Sequence, residues 1–162
     1  MLFRSVVAAT GESLNDTLNN LSNNTISNFG GSTTSASAIY FNSNRNITIR
    51  SNTISSNSLP TTTTCYGINA NSGLCANICQ NTIQNIVTSS TFYAIYHSLS
   101  GGDSLHPNIV RVDSNLIRFG TPTAGSFYGI FGSSSGGSGS LVSVSYNQYK
   151  NNTFSATSTA TM

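Results

Sequence analysis

The sequence predicts an all-β coil of parallel strands, a solenoid of about five turns of roughly 28–34 residues with three short strands in each turn. Three observations carry this reading. An asparagine recurs at a fixed place in a fixed phrase: Asn24 in LSNNTIS, Asn52 in IRSNTIS, Asn81 in ICQNTIQ, Asn115 in VDSNLIR and Asn147 in VSYNQYK, with gaps of 28, 29, 34 and 32 residues. Each marker is flanked by an apolar residue three positions before and another two after, namely Leu21 and Ile26, Ile49 and Ile54, Ile78 and Ile83, Val112 and Ile117, Val144 and Tyr149. Finally, no tight Asn-Gly hairpin signal separates the strand phrases, and like phrases return at one turn's length, so the chain coils instead of doubling back.

The first strand of each turn is a phrase in which a small residue precedes an isoleucine: SAIYF at 37–41, YGINA at 66–70, YAIYH at 93–97 and YGIFG at 128–132. The second leads into the marker with alternating inward candidates: Ile47 and Ile49, Ala76 and Ile78, Val110 and Val112, Val142 and Val144. The third follows the marker and carries Ile26, Ile54, Ile83, Ile117 and Tyr149. Stacked at about 4.8 Å per turn, such phrases form columns of like side chains, and the backbone pairs with the turns above and below. The five asparagines then make a ladder in which side-chain amides bond to one another and to corner backbone that has no strand partner. Their expected role is structural.

Residues 1–13 read as an irregular or partial first coil and 155–162 as a frayed tail of one domain spanning 1–162. The start, MLFRSVVAAT, lacks both the basic opening and the unbroken apolar run of a signal peptide, and no stretch approaches the roughly 20 apolar residues of a membrane helix. The segments LPTTTT at 59–64, SLSGGDSLHP at 98–107 and SSSGGSGS at 133–140 interrupt the repeat and are expected to bulge from the corners. The sequence reads as a piece of a longer solenoid, with adjoining coils as its immediate partners.

Composition narrows function by exclusion. Charged residues are only 6% of the 162, with six Lys plus Arg against four Asp plus Glu, so no strong field draws the chain to nucleic acid or to an anionic membrane. Cys65, Cys75 and Cys79 are an odd number, and an extended Cys75–Cys79 segment holds its sulfurs about 13 Å apart, too far to bridge. Unpaired thiols are expected, or a single bond from Cys65. No His or Cys pair completes a zinc set, and no metal or cofactor is predicted. The acids are Glu12, Asp16, Asp103 and Asp113; Asp113 falls in an outward column with Arg50, Cys79 and Ser145, with no second carboxylate beside it. His97, His106, Asp103 and Arg111 form the one polar cluster, and no catalytic residue is assigned.

The phrases NNTIS, SNTIS and QNTIQ, followed by YGI or YAI, resemble the right-handed parallel β-helix repeat of pectate-lyase-like proteins, over roughly residues 14–154. The handedness is what the resemblance implies. The resemblance also implies a fold shared by polysaccharide lyases, glycosidases, phage tailspikes and bacterial surface adhesins, and does not choose among them.

A lateral binding strip is the leading site. Strict alternation through the first phrase places Tyr66, Tyr93, Tyr128 and the isoleucines inside. The outward column is then Tyr40, Asn69, Tyr96 and Phe131, beside the small residues Ala38, Gly67, Ala94 and Gly129. Aromatic faces beside small residues suit sugar rings, and they also suit stacking among themselves. The leading expectation is therefore a structural or adhesive segment, secreted or at the cell surface, that contacts polysaccharide or a surface glycan. The alternatives are a non-catalytic portion of a polysaccharide lyase or glycoside hydrolase, and an ice-binding solenoid built on Thr25, Thr53 and Thr82, whose column breaks at Leu116 and Gln148.

Overall fold

The computed structural model describes residues 18–29, 35–55, 63–88, 90–99, 105, 107–118, 125–134, 136–150 and 158–161. Its strands are β1 (Asn20–Ser22), β2 (Thr25–Ser27), β3 (Ala36–Arg50), β4 (Thr53–Ser55), β5 (Cys65–Cys79), β6 (Thr82–Gln84), β7 (Phe92–Ser98), β8 (Ile109–Asp113), β9 (Leu116–Arg118), β10 (Gly125–Gly132), β11 (Leu141–Ser145), β12 (Gln148–Tyr149) and β13 (Ser158–Thr161). Every pairing between these strands is parallel, and the described residues contain no helix. One sheet runs β1-β3-β5-β7-β10-β13 with β8 and β11 alongside; the other runs β12-β9-β6-β4-β2. The architecture is a parallel β-solenoid of about four turns, slightly fewer than the repeat count predicted.

Register follows the phrases. The second-phrase column is Leu21–Ile49–Ile78–Val112–Val144, and the third is Ile26–Ile54–Ile83–Ile117–Tyr149. Ile49, Ile54, Ile78, Ile83, Val112 and Ile117 are fully buried. A one-residue slip would turn each of these β-branched side chains out to solvent, which is why the register is fixed so strongly.

Three strands per turn hold only in part. In the second and third turns the first two phrases merge into single bent 15-residue strands, β3 and β5. The bend in β5 is made by left-handed backbone at Ser72, Gly73 and Cys75. Gly73, at φ +107°, also faces the Asn44 backbone so closely that a Cβ would collide with it. The turns carrying the longer inserts keep β7 apart from β8 and β10 apart from β11.

The sharp corner before the third strand has one recipe in all five copies. The residue preceding each marker, Asn23, Ser51, Gln80, Ser114 and Tyr146, adopts a left-handed conformation with φ of 53–60°. That reversal aims the next side chain inward. Asn52, Asn81 and Asn115 are buried, and the backbone N–H and Nδ2 of each asparagine from Asn24 to Asn115 both donate to Oδ1 of the next marker at 2.9–3.0 Å. Marker Nδ2 atoms also cap carbonyls of the preceding turn: Asn52 to Leu21, Asn81 to Ile49, Asn115 to Ile78, Asn147 to Val112. The amides thus satisfy corner backbone that the strand ladder cannot reach.

Candidate binding surface

The first phrase does not alternate strictly. Ala94 and Ile95 are both fully buried, as are their register neighbours Gly67 and Ile68. Strand pairing skips the small residue in β5 and β7, which is where the strand bends. Two consecutive side chains therefore point inward, and the residues flanking them both point out. This corrects two expectations: Tyr66, Tyr93 and Tyr128 lie on the outside, and the small residues lie inside. They are small because the interior is crowded there. A Cβ on Gly67 would stand 2.6 Å from the Ala94 carbonyl oxygen and 3.2 Å from Ile83, and one on Gly129 would strike the Tyr149 ring.

The consequence is a double aromatic column. Tyr66, Tyr93 and Tyr128 stack with ring centroids 5.3 and 4.6 Å apart and planes within 13°. Beside them Tyr96 stacks on Phe131 at 5.6 Å. The columns meet edge to face, Tyr96 against Tyr66 and Tyr93 at 5.5 Å, and Phe131 against Tyr93 at 5.4 Å and Tyr128 at 5.8 Å. Such pairs prefer these geometries because ring faces are negative and edges positive. Burial, followed by the neighbouring phenols, pushes the Tyr66 and Tyr93 hydroxyls above their ordinary pKa, so they remain donors at neutral pH.

The predicted column Tyr40–Asn69–Tyr96–Phe131 is in register and faces outward. Its members are not equivalent. Tyr40 is 45% and Phe131 38% exposed; Asn69 breaks the run of rings, and its Oδ1 is buried without a hydrogen-bond partner. The Thr25–Thr53–Thr82 column is likewise in register and gives way to Leu116 and Gln148.

The predicted polar cluster does not assemble among the described residues. His97 is 2% exposed and faces the interior, whereas Arg111 is exposed; Asp103 and His106, like Glu12 and Asp16, lie outside the described residues. His97 Nδ1 is 2.7 Å from Ser134 Oγ, which also accepts the Leu99 N–H. Its register neighbours are Ala70 and Gly132, and a Cβ on Gly132 would strike the imidazole. Asp113 accepts hydrogen bonds from Ser114 and Ser145, in the column with Arg50 and Cys79. All three cysteines are thiols; Cys65 is buried in the core, and burial pushes the Cys79 thiol up, opposed by Arg50 and aided by Asp113.

Burial holds the His97 pKa below its ordinary value. Its unfolded form takes up a proton below about pH 6.5 while the folded form resists, so stability is complete above that pH and falls as pH drops towards the folded pKa. Urea midpoints measured from pH 7.5 down to 4.5 are expected to decline, and His97→Gln to flatten that decline. An equal slope in the variant would assign the effect elsewhere.

No family model, curated protein or solved structure matches the chain.

Proposed function

We propose that this protein is a structural or adhesive β-solenoid of the pectate-lyase-like type, secreted or at the cell surface, that meets polysaccharide along its lateral aromatic strip. The observation that supports the reading is the strip itself. Six aromatic side chains, Tyr40, Tyr66, Tyr93, Tyr96, Tyr128 and Phe131, stand on one lateral face beside the bend of the first strand. Rings stacked on each other have little face left to offer, so the strip presents ring edges and a row of phenol hydroxyls, one per turn. Phe131 and Tyr40 differ: no described ring covers the outer face of Phe131, and Tyr40 touches no described ring. These two offer a flat apolar surface to a pyranose, with the tyrosine hydroxyls between them for its polar edge.

Glycan-array binding by the intact chain tests this. Tyr96→Ala removes one of the two rings that join the columns, and Tyr40→Ala removes an exposed ring without disturbing the stack. Each is expected to weaken binding roughly 5- to 10-fold, with the far-UV spectrum unchanged. Absence of binding by the unmodified protein would sink the polysaccharide reading.

A further inference from the structure

We propose that Tyr93 and Tyr128 form a built-in site of oxidative cross-linking, at which a haem peroxidase acting with hydrogen peroxide joins the two phenol rings and staples one turn of the solenoid to the next. The site lies on the lateral face, and the inference does not depend on what the aromatic strip binds.

Register places the pair. Tyr93 and Tyr128 are direct partners in the parallel pairing of β7 with β10, so their side chains leave the sheet at the same phase of adjacent turns. Both are partly exposed, and their rings stack with centroids 4.6 Å apart and planes 12° from parallel. That separation is close to the spacing of paired strands, as expected of two side chains that leave in the same direction. Like edges of the two rings therefore lie side by side. Phe131 stands edge-on to both, 5.4 Å from Tyr93 and 5.8 Å from Tyr128, and supports the pair from the side. Tyr66, the other stacked neighbour of Tyr93, is farther away at 5.3 Å. The chain contains no tryptophan, so phenols are its most readily oxidised rings.

Each phenol gives one electron to the peroxide-oxidised haem and its proton to water, which the partial exposure of the rings allows. The two phenoxyl radicals then form one C–C bond between carbons ortho to the oxygens. The hydrogen on each of those carbons moves to the phenol oxygen, and both rings regain aromaticity. The O–O bond of hydrogen peroxide breaks, two water molecules leave, and the protein loses two hydrogen atoms in all. Stacking makes the coupling intramolecular, since the second ring is in place before either is oxidised. The link ties adjacent turns covalently and removes loop-closure entropy from the unfolded chain.

Dilute intact protein is treated with a haem peroxidase and hydrogen peroxide, then unfolded and digested with trypsin. Peptide 51–111 is expected to be joined to peptide 119–150 with the loss of two hydrogens, with blue dityrosine fluorescence and a yield independent of protein concentration. Tyr93→Phe and Tyr128→Phe each keep a ring in the stack and should abolish the joined pair. Tyr146→Phe changes an exposed phenol in the same tryptic peptide and should leave it intact. Unfolding in urea before oxidation is expected to lower the yield roughly 10-fold or more. No joined pair, a joined pair that survives Tyr93→Phe or Tyr128→Phe, or an equal yield from unfolded chain overturns the inference.

Discussion

Asn81→Ala is expected to destabilise the protein by about 3–5 kcal/mol, far more than the truncation of a polar side chain on a surface. Asn81 sits at the centre of the ladder and is fully buried. Its Oδ1 accepts from the Asn52 N–H and Nδ2, and its Nδ2 donates to the Ile49 carbonyl and to Asn115 Oδ1. Alanine leaves the Asn52 N–H and the Ile49 carbonyl buried with no alternative partner, and each orphan costs about 1–3 kcal/mol. Asn24→Ala is the internal comparison. Asn24 donates the same bonds to Asn52, but it is only partly buried, so water can replace what is lost. Its cost is expected to be about 1 kcal/mol or less, and urea midpoints of the two variants read the difference. Equal losses would mean that the ladder acts through local corner geometry and not through the buried network.

The repeat, the inward isoleucines and the corner asparagines were legible because each is a column: one residue type returns at the same phase in every turn, and no other architecture needs that. The orientation of Tyr66, Tyr93 and Tyr128 was misread because strict alternation was carried through a bend. The corrective signal lies in Ala38, Gly67, Ala94 and Gly129. A surface position has no reason to stay small in every turn, whereas a crowded interior does, so their recurrence already marks two adjacent inward residues. The fate of His97 was legible by the same logic, since it stands two positions after the inward Ile95 in a column with Phe41, Ala70 and Gly132. A lone histidine beside a loop invites a chemical reading, but its phase places it in the core. The aromatic strip was visible only in half, because contacts between columns depend on the angle of the bend, which no local pattern encodes.

Ile78→Ala is expected to cost about 2–5 kcal/mol, and Val144→Ala, in the same column, under about 1 kcal/mol. Both side chains are β-branched, both occupy the position three before a marker asparagine, and both face the same interior. They differ in what lies on either side. Ile78 is covered by Ile49 in the turn before and Val112 in the turn after, whereas Val144 has Val112 as its one register neighbour among the described residues and is half exposed. Truncating Ile78 opens a cavity that touches two coil-to-coil interfaces. In a quasi-one-dimensional stack these interfaces carry the cooperativity. Amide exchange is therefore expected to accelerate on both sides of the lesion, in the second half of β3 and in β8. Val144→Ala should perturb β11 alone. Confinement of the Ile78→Ala effect to β5 would show that each turn is stable in its own right, and the ladder and columns would then add to stability turn by turn without coupling one turn to the next.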